Sequence, residues 1–164
     1  MRIGLLSDTH GHLDQGIFHH FKECEEIWHA GDIGTTELAD ELNDFKPFFA
    51  VHGNIDGGKL KQQFPEDLWL KRNGLTVWIT HIGGYPPKYN TRTKSILRTK
   101  TPDLFICGHS HILKIMRDPS RNLLHINPGA AGIQGFHKVK TLVRFSIKEA
   151  RIVDLEVIEL GKRA

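Results

Sequence analysis

Residues 3–10 read Ile3-Gly4-Leu5-Leu6-Ser7-Asp8-Thr9-His10, a short apolar run that leads into an acid and a histidine. A short apolar run bounded by polar residues is typical of a buried strand. The same arrangement returns four more times along the chain, and each predicted strand leads into a side chain that can bind a metal. The five predicted strands are Ile3–Ser7, Glu26–His29, Phe48–Val51, Thr76–Thr80 and Leu104–Cys107.

Helices are predicted between the first three strands. Apolar residues recur at positions 13, 17 and 21, and again at 38, 42 and 45, so each set lies on one helical face. Thr35 or Thr36 is the expected N-cap of the second helix, and Lys46-Pro47 is expected to end it. This β-α-β-α-β opening predicts a layered α/β fold.

The second half of the chain is richer in strands. Leu123–Asn127, Thr141–Ile147 and Arg151–Leu160 are rich in Ile, Val and Leu, and Lys148-Glu149-Ala150 predicts a hairpin turn between the last two. A mixed sheet, or two packed sheets, fits this pattern better than a purely parallel sheet. With 164 residues and no linker or repeat, we expect a single domain over 1–164.

The charge and composition of the chain limit the classes of function that fit it. Residues 1–67 carry 13 acids and 5 bases, whereas residues 68–164 carry 6 acids and 17 bases, so the second half favours anionic ligands. The basic residues of 88–100 either bind a second phosphate or form a solvated surface. Cys24 and Cys107 are expected to be buried thiols, and the absence of a signal-like or bilayer-length apolar segment predicts a cytoplasmic protein without a membrane partner.

Acid, amide and imidazole side chains follow the five strands. Because ligands of open α/β sheets bind at the carboxyl ends of the strands, we expect these side chains to converge on a metal site. In extended backbone, residues two apart point to one side, so Asp8 with His10 and His109 with His111 can act in pairs. Gly31, Gly53 and Gly108 each precede a candidate ligand, where close backbone approach leaves no room for a side chain. The candidate ligands are Asp8, His10, Asp32, Asn54, His81, His109 and His111.

These motifs resemble those of the calcineurin-like metallophosphoesterase superfamily, and most closely its small single-domain prokaryotic phosphodiesterases. The matching segments span residues 8–130 and are Asp8-Thr9-His10, Gly31-Asp32, Gly53-Asn54-Ile55-Asp56, His81, Gly108-His109-Ser110-His111 and Asn127-Pro128-Gly129-Ala130. The resemblance implies a four-layer α-β-β-α sandwich of two mixed sheets flanked by helices.

The resemblance also implies which residues bind two divalent ions. One ion would be bound by Asp8, His10, Asp32 and His111, and the other by Asp32, Asn54, His81 and His109. Many members of the superfamily have a histidine after the motif asparagine that assists the leaving oxygen, but here Ile55 occupies that position. His12, His52 or a metal-bound water is the expected substitute, and His29, His52 and His125 match no ligand position.

The expected activity is hydrolysis of phosphate esters, with phosphodiesters as the favoured class, by in-line attack of a hydroxide that bridges the two ions. Mixed oxygen and nitrogen ligands without a thiolate suit Mn²⁺, which we favour, and also Ni²⁺, Fe²⁺, Co²⁺ or Zn²⁺. The expected partner is a small phosphate-ester or nucleotide-like substrate.

Two other interpretations stay open. A phosphoesterase-fold subunit of retromer lacks the same histidine and acts as a scaffold for proteins, so a catalytically weak scaffold is the main alternative. A nucleic-acid-binding domain leaves the acid and imidazole motifs unexplained. The apolar C-terminal strands also offer an edge for a homodimer.

Overall fold

Two five-stranded sheets form the centre of the protein in a computed structural model that describes residues 1–164. The first sheet has the strand order β12-β11-β1-β2-β3, in which β1, β2 and β3 are parallel and β11 and β12 are antiparallel. Its strands are β1 (Arg2–Leu6), β2 (Glu26–His29), β3 (Phe48–Ala50), β11 (Val139–Lys148) and β12 (Arg151–Lys162).

The second sheet has the order β4-β5-β8-β10-β9, in which β5, β8 and β10 are parallel and the two edge strands are antiparallel. Its strands are β4 (Asp67–Arg72), β5 (Leu75–Thr80), β8 (Leu104–Ile106), β9 (Leu113–Asp118) and β10 (Leu123–Pro128). A small hairpin of β6 (Gly84–Tyr85) and β7 (Lys88–Tyr89) follows β5.

Helices cover the outer faces of both sheets. They are α1 (Gly16–His20), α2 (Thr36–Phe45), α3 (Gly58–Gln63) and α4 (Thr91–Thr99). The Thr35 hydroxyl accepts the Leu38 N–H and caps α2, and Lys46 is the C-cap, as the sequence predicts. None of the helices combines the length and apolar character needed to cross a membrane.

Three apolar clusters separate the layers. The central cluster packs first-sheet residues such as Ile3 and Trp28 against second-sheet residues such as Val77 and Ile106. A second cluster lies between the first sheet and α1 to α3, and a third includes Trp78 and lies between the second sheet and α4. The four-layer arrangement of two mixed sheets is therefore confirmed.

Candidate metal centre

The loops that leave β1, β2, β3, β5 and β8 meet at one end of the two sheets. The first sheet contributes Asp8, His10, Asp32 and Asn54, and the second contributes His81, His109 and His111. All seven predicted site residues are therefore brought to the same place, and two groups of three have their potential ligand atoms within 4.8 Å of one another. These groups are Asp8, His10 and His111, and Asp32, His81 and His109.

Most of these residues do not have the extended backbone that the sequence argument assumed. Asp8, His10, Asp32, His109 and His111 all have positive φ, between 47° and 69°. Their strands end one or more residues earlier, and the chain turns through the left-handed region that Asp and His tolerate better than bulky residues. The two members of each Asp-X-His or His-X-His pair still converge, because turning loops direct them rather than the pleat of a strand.

In the first group, histidine nitrogens surround one carboxylate. Asp8 Oδ1 lies 3.3 Å from His111 Nε2 and 3.9 Å from His10 Nε2, and the two imidazole nitrogens are 3.3 Å apart. Asp8 Oδ1 is fully buried and accepts no hydrogen bond, whereas Oδ2 accepts the His109 backbone N–H at 3.1 Å. Since a buried carboxylate oxygen without a partner is costly, this atom fits a cation.

In the second group, Asp32 lies between histidines from both groups. Its Oδ2 is 3.2 Å from His81 Nε2 and 3.6 Å from His10 Nε2, while its Oδ1 accepts the Ile55 N–H at 3.1 Å. Asn54 Oδ1 lies 3.1 Å from His81 Nε2 and 3.0 Å from His109 Nδ1. One oxygen of Asp32 thus faces both groups.

Hydrogen bonds orient the ligating nitrogens. His81 Nδ1 donates to the Ala30 carbonyl at 2.7 Å, which leaves Nε2 directed at Asp32. Asn127 donates to the Gly108 carbonyl at 2.9 Å and supports the loop that carries His109 and His111. An added Cβ would lie 2.6 Å from His81 at Gly31, 2.0 Å from Asp32 at Gly53 and 2.7 Å from Asp8 at Gly108, so the close approach predicted at these glycines is confirmed.

Asp56 and His29 support the site without belonging to either group. The buried Asp56 carboxylate accepts the backbone N–H groups of Ile33, Gly34 and Gly53, and so joins the loops that carry Asp32 and Asn54. His29 accepts the Gly31 N–H at Nδ1, and its Nε2 donates to Thr9 Oγ1 at 2.9 Å. His29, which matches no ligand position in the sequence, thus supports the loop that carries Asp32, and the supporting role of Asp56 was not predicted.

The carboxylates and imidazoles shift each other's pKa. Burial is the largest single influence and would raise the pKa of Asp32 and lower that of His81, but the contact between the two side chains, neighbouring charges and backbone hydrogen bonds together outweigh it, so the pKa of Asp32 is lowered and that of His81 is raised. The adjacent Asp8 carboxylate raises the pKa of His111, whereas burial lowers the pKa of His109. The lowered pKa keeps the Asp32 carboxylate ionised, as metal ligation requires.

Ile55 occupies the position after the motif asparagine at which a histidine is common. Its side chain is a hydrocarbon and is exposed. His52 lines a cavity of about 150 Å³ together with Asn54, His81 and Lys61, but His12 does not. His52 Nδ1 donates to the Phe64 carbonyl at 2.8 Å, so Nε2 is the nitrogen left for other partners.

Both cysteines are free and buried, as expected.

Comparisons with known proteins agree with this geometry. A probable metallophosphoesterase of Methanocaldococcus jannaschii is 28% identical over 95% of this chain and 82% of its own length. An archaeal phosphodiesterase has a TM-score of 0.78 at 23% identity, covering 98% of this chain and 100% of its own. Vps29 of Entamoeba histolytica in complex with Zn²⁺ has a TM-score of 0.73 at 17% identity and full coverage of both chains. Residues 1–150 match the calcineurin-like phosphoesterase superfamily domain, and this chain therefore belongs to that superfamily.

Proposed function

We propose that the protein is a metal-dependent phosphodiesterase in which seven side chains bind two divalent ions. One ion is bound by Asp8, His10, Asp32 and His111, and the other by Asp32, Asn54, His81 and His109. The observation that carries the proposal is the pair of three-residue groups, each with its ligand atoms within 4.8 Å, and the Asp32 oxygen that faces both.

The donor set supports transition metals. Two carboxylates, one amide and four imidazoles, without a thiolate, suit Mn²⁺, which we favour, or Ni²⁺, Fe²⁺, Co²⁺ or Zn²⁺. Two such ions supply positive charge for the phosphate oxygens and a water nucleophile at neutral pH. Asp8 and Asp32 neutralise only part of four positive charges, so the site retains attraction for a phosphate anion.

His52 is the best placed side chain to protonate the leaving oxygen. It borders the same cavity as Asn54 and His81, and the Phe64 carbonyl fixes its Nδ1 as a donor. A proton on Nε2 can therefore be delivered toward the candidate site, whereas Ile55 carries no titratable group.

The proposal is tested with bis(p-nitrophenyl) phosphate and Mn²⁺. Wild-type protein should bind two ions per chain and release p-nitrophenol, while Asp32→Asn and His109→Gln should lose at least about a hundredfold in rate and bind fewer ions. His19→Gln, which changes an exposed histidine away from the site, should leave both properties unchanged.

The second candidate function is a scaffold for a protein partner. Large apolar side chains next to the candidate ligands are exposed, namely Ile55, Ile82 and Ile112, and Phe136 is fully exposed. The fold similarity to Vps29 points in the same direction. Normal binding of two Mn²⁺ ions without any turnover would replace the enzyme proposal with this one.

A further inference from the structure

A second cavity, of about 300 Å³, borders the candidate metal centre on the side of the β6–β7 hairpin. Its lining includes the candidate ligand His109 with its neighbour Ser110, and also Tyr85, Lys88 and Lys114. Its volume is at the lower end of small-molecule sites. Because His109 is a candidate ligand, a molecule whose phosphate sits at the metal centre can extend directly into this cavity.

The charge of this cavity is positive. No Asp or Glu side chain lines it, and neither Lys88 nor Lys114 takes part in an ion pair. Other bases of the segment 88–100 have partners elsewhere: Arg92 pairs with Asp67, and Lys100 lies over the Trp69 ring. Two lysines without ion pairs in the lining of one small cavity are suited to an anion.

The two lysines are placed by ordered neighbours. Lys114 Nζ lies 3.4 Å from the centre of the Tyr85 ring, a cation–π contact that limits where the ammonium can point. Tyr85 is the partner of Lys88 across the hairpin, so both lysines are positioned by the same turn. The hairpin is in turn tied to β8, because the Cys107 thiol donates to the Gly84 carbonyl at 3.3 Å.

The cavity lining also includes apolar groups. Ile82 and Ile112 line the cavity and are 42% and 61% exposed. They offer contact for the carbon skeleton of an organic group without competing for its anion. The cavity lining therefore combines apolar and basic groups.

We propose that this cavity binds a second anionic group, a phosphate in the first instance, on the organic arm of the phosphodiester substrate. The proposal rests on the proposed function only for the position of the scissile phosphate. Lys88 and Lys114 bind the second anion, Tyr85 positions Lys114, and the substrate class becomes phosphodiesters that carry another phosphate on one arm.

A binding experiment tests this without hydrolysis. Calorimetry of the Mn²⁺-loaded protein compares deoxythymidine 3′,5′-bisphosphate with deoxythymidine 5′-monophosphate at constant ionic strength. We expect the bisphosphate to bind about tenfold more tightly, as one charge-assisted contact provides. Lys88→Gln and Lys114→Gln should reduce this ratio toward one, and Lys94→Gln, which removes an exposed charge on α4 outside the cavity, should preserve it.

Kinetics separates this inference from the proposed function. The p-nitrophenyl ester of deoxythymidine 5′-phosphate should have an about tenfold higher KM than its 3′-phosphorylated form. Lys88→Gln should remove this difference, and the control Lys94→Gln should preserve it and leave turnover of bis(p-nitrophenyl) phosphate unchanged. Equal affinity for the two nucleotides in wild type, or a preference that survives both lysine changes, would overturn the cavity assignment. A lysine-dependent preference without any hydrolysis would support the cavity and overturn the enzyme proposal.

Discussion

A single side chain, the carboxylate of Asp56, holds together the loops that carry Asp32 and Asn54. Its Oδ2 accepts N–H groups from Gly53 at 2.7 Å and Ile33 at 3.2 Å, and its Oδ1 accepts the Gly34 N–H at 2.8 Å. In Asp56→Asn the amide oxygen can keep the first two bonds without their charge, and the NH₂ group then faces another donor.

The expected cost follows from these three bonds. An unpaired buried N–H costs about 1–3 kcal/mol, and the charge-assisted bonds lose part of their strength, so we expect a loss of about 3 kcal/mol in unfolding free energy. For a chain of this size, that corresponds to a fall of about 6–12 °C in Tm. Because both loops carry candidate ligands, Mn²⁺ affinity should also fall about 10–100-fold.

Thermal unfolding of metal-free protein, followed by circular dichroism, measures the first effect, and calorimetric titration with Mn²⁺ measures the second. The matched control is Asp40→Asn, which neutralises an exposed carboxylate on α2. An Asp56→Asn protein that melts and binds Mn²⁺ like the control would refute the idea that this carboxylate holds the two loops together.

Three further predictions concern other residues. His52→Gln should slow hydrolysis of diesters with alkyl leaving groups about a hundredfold or more, with little change for p-nitrophenyl esters whose leaving group needs no proton; an equal loss for both would exclude an acid role. Burial lowers the pKa of His125 from its ordinary 6.5 to about 4. Between these two pH values the unfolded chain binds a proton at this histidine that the folded chain does not, so the free energy of unfolding falls by about 3 kcal/mol as the pH drops from about 6.5 to about 4. Urea unfolding of metal-free His125→Gln should show a shallower loss over that interval. Gly53→Ala should lose about 1–3 kcal/mol because its Cβ would overlap Asp32, whereas Gly57→Ala in the same loop, with nothing within 4 Å, should melt like wild type.

The strands that lead into the candidate site were predicted within a residue or two, because most of their residues are buried. β2 and β8 are buried at every position, so apolar runs identify them directly. The edge strands β4 and β9 were missed, since their residues are mostly half-exposed and include Lys, Arg and Asp. Their sequences lack both the apolar run and the clean alternation on which strand prediction depends.

The candidate site residues were chosen from their positions after the predicted strands, but the sequence did not predict their local backbone geometry. Nothing in the spacing of Asp8 and His10 shows that the chain turns through positive φ at both. The function of Asp56 was equally hidden, because its three partners are backbone groups, two of which lie 22 and 23 residues away in the chain. The basic cavity required tertiary structure, since Lys114 comes from β9 and Lys88 from the hairpin.

Each three-residue group at the metal centre draws on both sheets: Asp8 and His10 of the first meet His111 of the second, and Asp32 of the first meets His81 and His109 of the second. In the proposed site, every bound ion is therefore a cross-link between the halves of the sandwich, and neither half retains a complete set of ligands when they separate. Unfolding must then release the ions, so resistance to denaturation becomes a function of free metal concentration, increasing by about 2.7 kcal/mol per ion at a hundred times its dissociation constant. Chelation would loosen the whole sandwich as well as abolish chemistry.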